Sequence, residues 1–315
     1  MKKVPQLGDI KKAHERIRPF IHKTPVLTSS GIDAIIGASV YFKCENFQKV
    51  GAFKFRGATN AVLLLDDRIK KLGVATHSSG NHAAALALAA KNMGIKAYVV
   101  MPETAPLIKK KAVKSYGAEI TFCAPTLAAR ESTLNEVIEK TGATFIHPYN
   151  NKDIICGQGT AALELLDEYS DLDIIMAPVG GGGLLSGTAI AAKELNPNIK
   201  VIAAEPQNAD DAYRSFKSGY LIPSENPNTI ADGLLTSLCN LTFKIISEKV
   251  DEIVTVSENG IIEAMRLIWE RMKIIVEPSS AVPLAAVLEN KQLFFGKKIG
   301  IILSGGNVDL NKLPF

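Results

Sequence analysis

Paired cysteines are missing from this chain. Cys44, Cys123, Cys156 and Cys239 stand tens of residues apart in 315 residues, and no C-x-x-C occurs. That spacing supports neither a zinc site nor a dithiol redox motif, and isolated thiols suit a reducing compartment. Long apolar runs are missing too, which argues against a membrane span. The opening "MKKVPQLGDIKKAHERI" has lysines but no apolar segment behind them, so it does not read as a secretory signal. Charge of one sign is also scarce: 36 basic and 32 acidic residues leave a formal charge of +4. The run "IKKKAVK" at 108–114 alternates with apolar residues and reads as a solvated helix face, not a nucleic-acid surface. Neither internal repeats nor low-complexity segments stand out. These absences point to a cytoplasmic protein that handles a small molecule, with no nucleic-acid or membrane partner.

What is present is an alternation. Hydrophobic residues make up 47% and charged residues 22%, ordinary for a globular chain large enough for one large or two medium domains. "GVATH" (73–77) reads as a strand and "NHAAALALAAKNM" (81–93) as a helix stopped by Gly94. "KAYVVM" (96–101), a helix at 106–116, "EITFC" (119–123), a helix at 126–140 and "TFIHP" (144–148) continue the pattern. It resumes with a helix in "GQGTAALELLDEY", strand "DIIMAPV", helix "LLSGTAIAAKEL" and strand "KVIAAE". Strand "EIVTV", helices ending near Lys273 and spanning about 279–290, and strand "KIGIILS" close the chain. Strands dense in Val and Ile between helices predict an α/β fold with open, doubly wound parallel sheets. The longest patternless stretch is 218–233, a length often functional in compact α/β proteins.

Ligands in such sheets gather at the carboxyl ends of strands. "THSSGNHAA" (76–84) puts Ser78, Ser79, Gly80, Asn81 and His82 at a helix start, where free N–H groups favour an anion such as a carboxylate. "APVGGGGLLSG" (177–187) places Gly180, Gly181, Gly182 and Gly183 between strand and helix, a cradle for phosphate. The dinucleotide spacing G-x-G-x-x-G fails there, because Leu185 or Ser186 stands at its last position, and no Gly-Lys-Ser/Thr follows. A single phosphate monoester fits better. "LSGGN" (303–307) offers Ser304 to a ring heteroatom and two glycines to a flat ligand. "AAEPQNADD" (203–211) holds Glu205, Asp210 and Asp211, either oxygen ligands for a cation or acidic helix caps. Finally, "KVGAFKFRGA" (49–58) sets Lys54 between Phe53 and Phe55. That lysine is either a surface residue on a half-buried strand or a reactive amine. A phosphate cradle, a flat-ligand slot, an anion loop and a framed lysine together suit pyridoxal phosphate, whose aldehyde forms a Schiff base with lysine.

On these residues, with "HPYNN", "GQGT", "TIADG" and "EPSSA", essentially the whole chain resembles the fold-type II pyridoxal-phosphate enzymes. Within them it is similar to the serine racemase and serine/threonine dehydratase branch. The resemblance implies two doubly wound domains of the tryptophan synthase β-like fold: a discontinuous large domain (1–72 and 148–315) and a small one (73–147) that closes over substrate. It implies a homodimer. It gives Lys54 the Schiff base, Phe53 a ring contact, and Gly180 to Gly183 with Leu184 the phosphate. Asn81 meets the ring hydroxyl and Ser304 the ring nitrogen. Ser78, Ser79, Gly80, Asn81 and His82 receive the amino-acid carboxylate, and Ser79 is the acid/base opposite Lys54. Glu205, the Ala209 carbonyl and Asp211 match the branch's divalent-cation site, for Mg²⁺, Mn²⁺ or Ca²⁺. Lys49, Tyr116 and Asn307 match positions linked to ATP activation, but Ala83-Ala84 replaces the Gly-Gln of animal serine racemases and leaves ATP open. The chain ends at Phe315, with no regulatory domain expected after it.

The implied activity is an ammonia-lyase that dehydrates L-serine or L-threonine to 2-oxo acid and ammonia, with serine racemisation beside it. Serine racemase or threo-3-hydroxyaspartate ammonia-lyase as the main activity is the alternative, and Arg130, Tyr149 and Thr236 are pocket residues that could bias the choice. A nucleotide-binding dehydrogenase is disfavoured by the failed glycine spacing. A non-catalytic sensor is disfavoured by the intact Lys54 and Ser79.

Overall fold

Short runs of Val and Ile pair side by side because neither face of a parallel strand tolerates water. The computed structural model describes residues 4–78, 80–105 and 107–315. Its strands are β1 (Val26–Leu27), β2 (Ser39–Cys44), β3 (Val74–His77), β4 (Ala97–Pro102), β5 (Glu119–Cys123), β6 (Thr144–Phe145), β7 (Ile174–Pro178), β8 (Lys200–Pro206), β9 (Glu252–Val256) and β10 (Lys298–Leu303). Six form one sheet in the order β1-β2-β10-β7-β8-β9, and four form another, β5-β4-β3-β6. Only the β1–β2 pair is antiparallel among these strands. The large sheet carries one core under Phe42, Met176 and Ile301 and a second under Ile175, Ile302 and Leu185. The small sheet is likewise covered on both faces, by clusters around Val99 and around Val100. The expected α/β architecture of two parallel-sheet domains is thus present.

Most expected elements fall within two residues of their observed bounds, as with the helix Asn81–Asn92. "TFIHP" keeps only two residues of strand. Between the helix Asp211–Ser218 and the 3₁₀ turn Asp232–Leu234 the chain has no regular element, as its sequence suggests.

The lysine segment is no strand. Ala52 makes an isolated bridge to Gly305, Phe53 N–H donates to Ser304 O at 3.0 Å, and Gly306 N–H donates to Gly51 O at 2.9 Å. The chain then turns into a helix, Lys54–Leu63. This helix lies backbone to backbone against the helix Lys152–Glu168: a Cβ on Gly157 would sit 2.5 Å from Gly57 Cα. On its other side Phe55, Ala58 and Val62 join the small-sheet core.

A buried ion cluster locks the crossing. Arg56 is 0% exposed. Its Nε and Nη2 donate to Glu45 at 2.7 and 2.8 Å, and its Nη1 and Nη2 donate to Glu164 at 2.7 and 2.8 Å. Lys43 Nζ donates to the same Glu164 at 2.7 Å. Two cations and two carboxylates therefore balance with their lone pairs and protons satisfied. Removing one member of such a cluster leaves an uncompensated charge in the interior. Arg56→Ala is expected to cost about 3–5 kcal/mol, read as a lower denaturant midpoint at unchanged slope. A loss below about 1 kcal/mol would mean that the cluster is not what fixes the crossing.

Candidate active site

Of the residues singled out by sequence, Lys54, the glycine turn, Ser304 and the start of the helix at Asn81 lie at the carboxyl ends of β7, β10 and β3. Lys54 is the first residue of its helix, held there by the β10 contacts of Ala52 and Phe53. Its Nζ lies 5.0 Å from the Phe53 ring centroid and donates to Pro148 O at 3.3 Å. Burial lowers its pKa to about 8, against the raising pull of the Glu277 charge. The positive end of the helix acts in the same direction as burial. A lysine in that state has an appreciable free-amine fraction near neutral pH, which imine chemistry and proton abstraction both require.

The residue after Pro148 ties this amine to the glycine turn. Tyr149 packs so closely there that a Cβ on Gly181 would stand 2.4 Å from its ring, and one on Gly183 would stand 2.9 Å from its Cβ. A Cβ on Gly180 would meet Leu234 Cα at 2.9 Å. Gly182 has φ +80°, a conformation glycine adopts without strain. The helix Gly183–Leu195 starts at this turn, with Leu184 buried in its first turn. First-turn N–H groups have no acceptor within their own helix, so the turn offers donors to a phosphate. Ser304, 3% exposed, directly follows β10 next to the lysine segment.

At the third edge, the helix Asn81–Asn92 begins directly after β3 and its loop. Gly80 N–H donates to Ser78 Oγ at 3.3 Å. Ser79, the acid/base candidate, lies outside the described residues. The His82 ring is 2% exposed and bonds Ile146 O at 3.1 Å. Burial, then the Lys54 charge, drives its pKa to about 3. His82 therefore stays neutral, and its ring carries no charge to offer an anion.

The structure adds contacts that sequence reasoning did not supply. His77, Phe145, His147 and Tyr149 form a row of ring contacts with centroids 4.6–5.5 Å apart from each neighbour to the next. Burial, then the charge of Arg130, lowers the His77 pKa. Lys109, on the helix Leu107–Ser115, forms an ion pair with Asp232 of the large-sheet half. Glu277 accepts from Asn81 Nδ2 at 2.9 and 3.0 Å. Their sequence separations, 123 residues for Lys109 and Asp232 and 196 for Asn81 and Glu277, hide these pairs from any local pattern. Of the ATP-associated positions, Lys49 Nζ donates to Phe20 O at 2.5 Å and Asn307 Nδ2 to Val50 O at 2.8 Å, so both are engaged within the chain.

The acidic loop is set apart. Glu205, 0% exposed, accepts N–H bonds from Ala212 at 2.9 Å and Tyr213 at 2.7 Å, the first turn of the helix Asp211–Ser218. Asp211 is buried beside it, and neither of its carboxylate oxygens has a hydrogen-bond partner. Burial raises Asp211 to about 6, only partly offset by the polar groups of Leu238 and Ser224. Burial and the Asp211 charge raise Glu205 well above the usual range. An orphaned carboxylate next to a second buried one is what an oxygen-ligated cation would relieve. Among the described residues no cluster of three or more His, Cys, Asp or Glu side chains has metal-holding geometry, so backbone oxygens would have to complete the shell. Also among them, no helix is long and apolar enough to cross a membrane.

The glycine turn without room for Cβ atoms, the lysine poised as an amine and the anion-favouring helix start fit pyridoxal phosphate. The comparisons agree. The chain is 56% identical over 312 residues to the serine racemase of Dictyostelium discoideum, covering 98% of this chain and 96% of that one. It is 53% identical to the beta-hydroxyaspartate dehydratase of Paracoccus denitrificans, covering 99% of both. The solved threonine deaminase of T.th. superposes with a TM-score of 0.93 at 44% identity, over 97% of this chain and 99% of that one. The model of the family "Pyridoxal-phosphate dependent enzyme" matches residues 17–305, and the chain belongs to that family.

Proposed function

We propose that this enzyme removes ammonia from β-hydroxy amino acids, L-serine, L-threonine or L-threo-3-hydroxyaspartate, leaving 2-oxo acids, and also racemises serine. The observation that carries this reading is the Lys54 amine, held near neutral pKa and joined through Pro148-Tyr149 to the glycine turn. Lys54 would hold the cofactor aldehyde, with Phe53 against the ring, Gly180–Leu184 on the phosphate, Asn81 on the ring hydroxyl and Ser304 on the ring nitrogen. When bound, pyridoxal phosphate withdraws electrons from the amino acid's Cα and makes its proton acidic. A serine at the ring nitrogen cannot supply the counter-charge of an aspartate, which favours prompt loss of the β-hydroxyl.

Gly80, Asn81 and His82 present N–H groups to the substrate carboxylate, joined in the proposal by Ser78 and Ser79. Lys54, once released as an amine, takes the Cα proton. Loss of the β-hydroxyl then gives the lyase outcome, and return of a proton from Ser79 to the opposite face gives the racemase outcome. The two outcomes share their first half. Residues 73–147 form the small domain in this proposal and close over the substrate, a motion to which the Lys109–Asp232 pair would contribute. Glu205, Ala209 O and Asp211 would hold Mg²⁺ or another hard cation. The working form is proposed to be a cytoplasmic homodimer, in keeping with four free thiols.

Hydroxyaspartate is favoured as a substrate by one observation. The charge of Arg130 reaches both His77 and Tyr149. In this reading Arg130 would be the cation for a second substrate carboxylate, a group that serine lacks.

The Lys54→Ala variant should lose the covalent cofactor absorbance of the purified protein and its 2-oxo acid production; a wild-type spectrum in that variant would sink the scheme. Arg130→Ala should lower kcat/KM for hydroxyaspartate by roughly 10²-fold and that for serine far less, measured side by side. Equal losses on both substrates would remove the case for Arg130 as the β-carboxylate partner. For the cation, the sign follows from a carboxyl raised in the folded state. Its stabilising contribution is complete below the ordinary value of 3.8 and is lost as pH rises through about 6. Chelated protein should therefore lose about 3 kcal/mol over that window, and added Mg²⁺ should restore it. Asp211→Asn should flatten both the pH response and the Mg²⁺-induced rise in Tm. A full Mg²⁺ response in that variant would place the cation elsewhere.

A further inference from the structure

The motif "EPSSA" brings into the site a carboxyl group that the mechanism above leaves without a task. Glu277 is 4% exposed. It packs against the turn after Ser304 so tightly that a Cβ on Gly305 would lie 2.8 Å from its Oε1. Its two oxygens accept from Asn81 Nδ2 at 2.9 and 3.0 Å, and Oε2 also accepts from the Asn307 backbone N–H at 3.2 Å. Asn307 Nδ2 in turn donates to Asn81 Oδ1 at 2.9 Å.

This network decides which way the Asn81 amide points. The two ends of an asparagine amide have nearly the same shape and differ in donor and acceptor character, so the surroundings select the orientation. Here a carboxylate faces the nitrogen end and an amide donor faces the oxygen end. The two oxygens of one carboxylate subtend a much smaller angle at nitrogen than the two N–H bonds do. Glu277 therefore takes one hydrogen, and the other is left for a ligand.

We propose that Glu277 is a positioning residue of the cofactor site. Together with Asn307 it fixes Asn81 so that an N–H, and not the carbonyl, meets the ring hydroxyl, which favours the anionic form of that hydroxyl. This rests on the reading above that Asn81 meets that oxygen. A donor opposite an oxygen stabilises its anion, whereas an acceptor would require the neutral hydroxyl to donate. The ionised hydroxyl is the form that holds a neighbouring imine protonated, and it absorbs at longer wavelength.

The charged groups facing Glu277 are Lys54, Asp232 and Lys109, the last two paired with each other. Burial raises the Glu277 pKa to about 7, with Asp232 adding to the rise and Asn81, Lys109 and the Asn307 N–H opposing it. Protonation would give Glu277 an O–H donor and release its hold on the nitrogen end of Asn81. The cofactor band is therefore expected to titrate near neutral pH.

The test uses purified holoenzyme and two readouts independent of turnover: the cofactor absorbance across pH, and the dissociation constant of pyridoxal phosphate. Glu277→Gln keeps the size of the side chain but lets its amide donate to Asn81 Oδ1, so Asn81 can flip. That variant should shift the population from the long-wavelength to the short-wavelength band, lose the titration near neutral pH, and bind cofactor about tenfold more weakly. Asn307→Ala should move the band the same way but less, and Glu277→Asp should restore most of the wild-type spectrum. A folded Glu277→Gln protein with wild-type band, titration and affinity overturns the proposal. Should that variant fail to fold, an unchanged spectrum in Asn307→Ala overturns it instead. A wild-type protein without any cofactor band, or a Lys54→Ala protein that keeps it, would bring down the underlying site reading along with the proposal.

Discussion

The constraint on which the site depends is the contact between two helix backbones at Gly57 and Gly157. A Cβ on either glycine would meet backbone atoms of the other helix at under 3 Å. Helices this close cannot slide or rotate independently, because interiors packed at crystal density have no slack to absorb the motion. Lys54 sits three residues before Gly57, at the free end of its helix. Its amine is therefore aimed by the crossing, and the Arg56 cluster holds the crossing from inside. Glu45 arrives from the end of β2, Glu164 from the helix beyond Gly157, and Lys43 from β2 itself. One guanidinium with its donors spread over two carboxylates fixes three elements at once, which a lysine at position 56 could not do with a single point charge.

The same interior sets the proton chemistry. Lys54 and Glu277 share a dry region, and burial pushes their pKa values toward each other, to about 8 and about 7. Each group's charge also supports the charge of the other. Small changes in bound ligand charge can then move protons between nearby groups, which suits a reaction that must take and return a proton near neutral pH. His82 marks the contrast. It is just as buried but has no anion to support it, and it is held neutral.

How much of this was legible in the sequence depends on range. The strand–loop–helix signals were legible because each is carried by adjacent residues: four glycines after β7, Asn81 opening a helix, Ser304 directly after β10. Lys54 was legible as a reactive candidate, but its helix was not. Phe53, Lys54 and Phe55 alternate like a strand over too short a span to decide, and the helix that follows is buried on two sides by Gly57, Ala58 and Ala61. It therefore lacks the polar face that marks a surface helix. The Arg56 cluster was not legible at all, because its carboxylates lie 11 and 108 residues away. Glu277 stood inside a recognised motif, yet its meaning comes from Asn81, which lies on the other sheet's first helix.

That last pairing shows how the two sheets become one site. Asn81 belongs to the small-sheet half, while Glu277 and Asn307 belong to the large one, so the amide that would meet the cofactor is oriented by contacts between the two halves. Lys109 and Asp232 likewise join the two halves. A shift of the small sheet relative to the large one would therefore change donor geometry at the cofactor as well as access to it. If residues 73–147 close over the substrate as proposed, the same movement would reset the Asn81 amide, because Glu277 and Asn307 hold it from the large-sheet half.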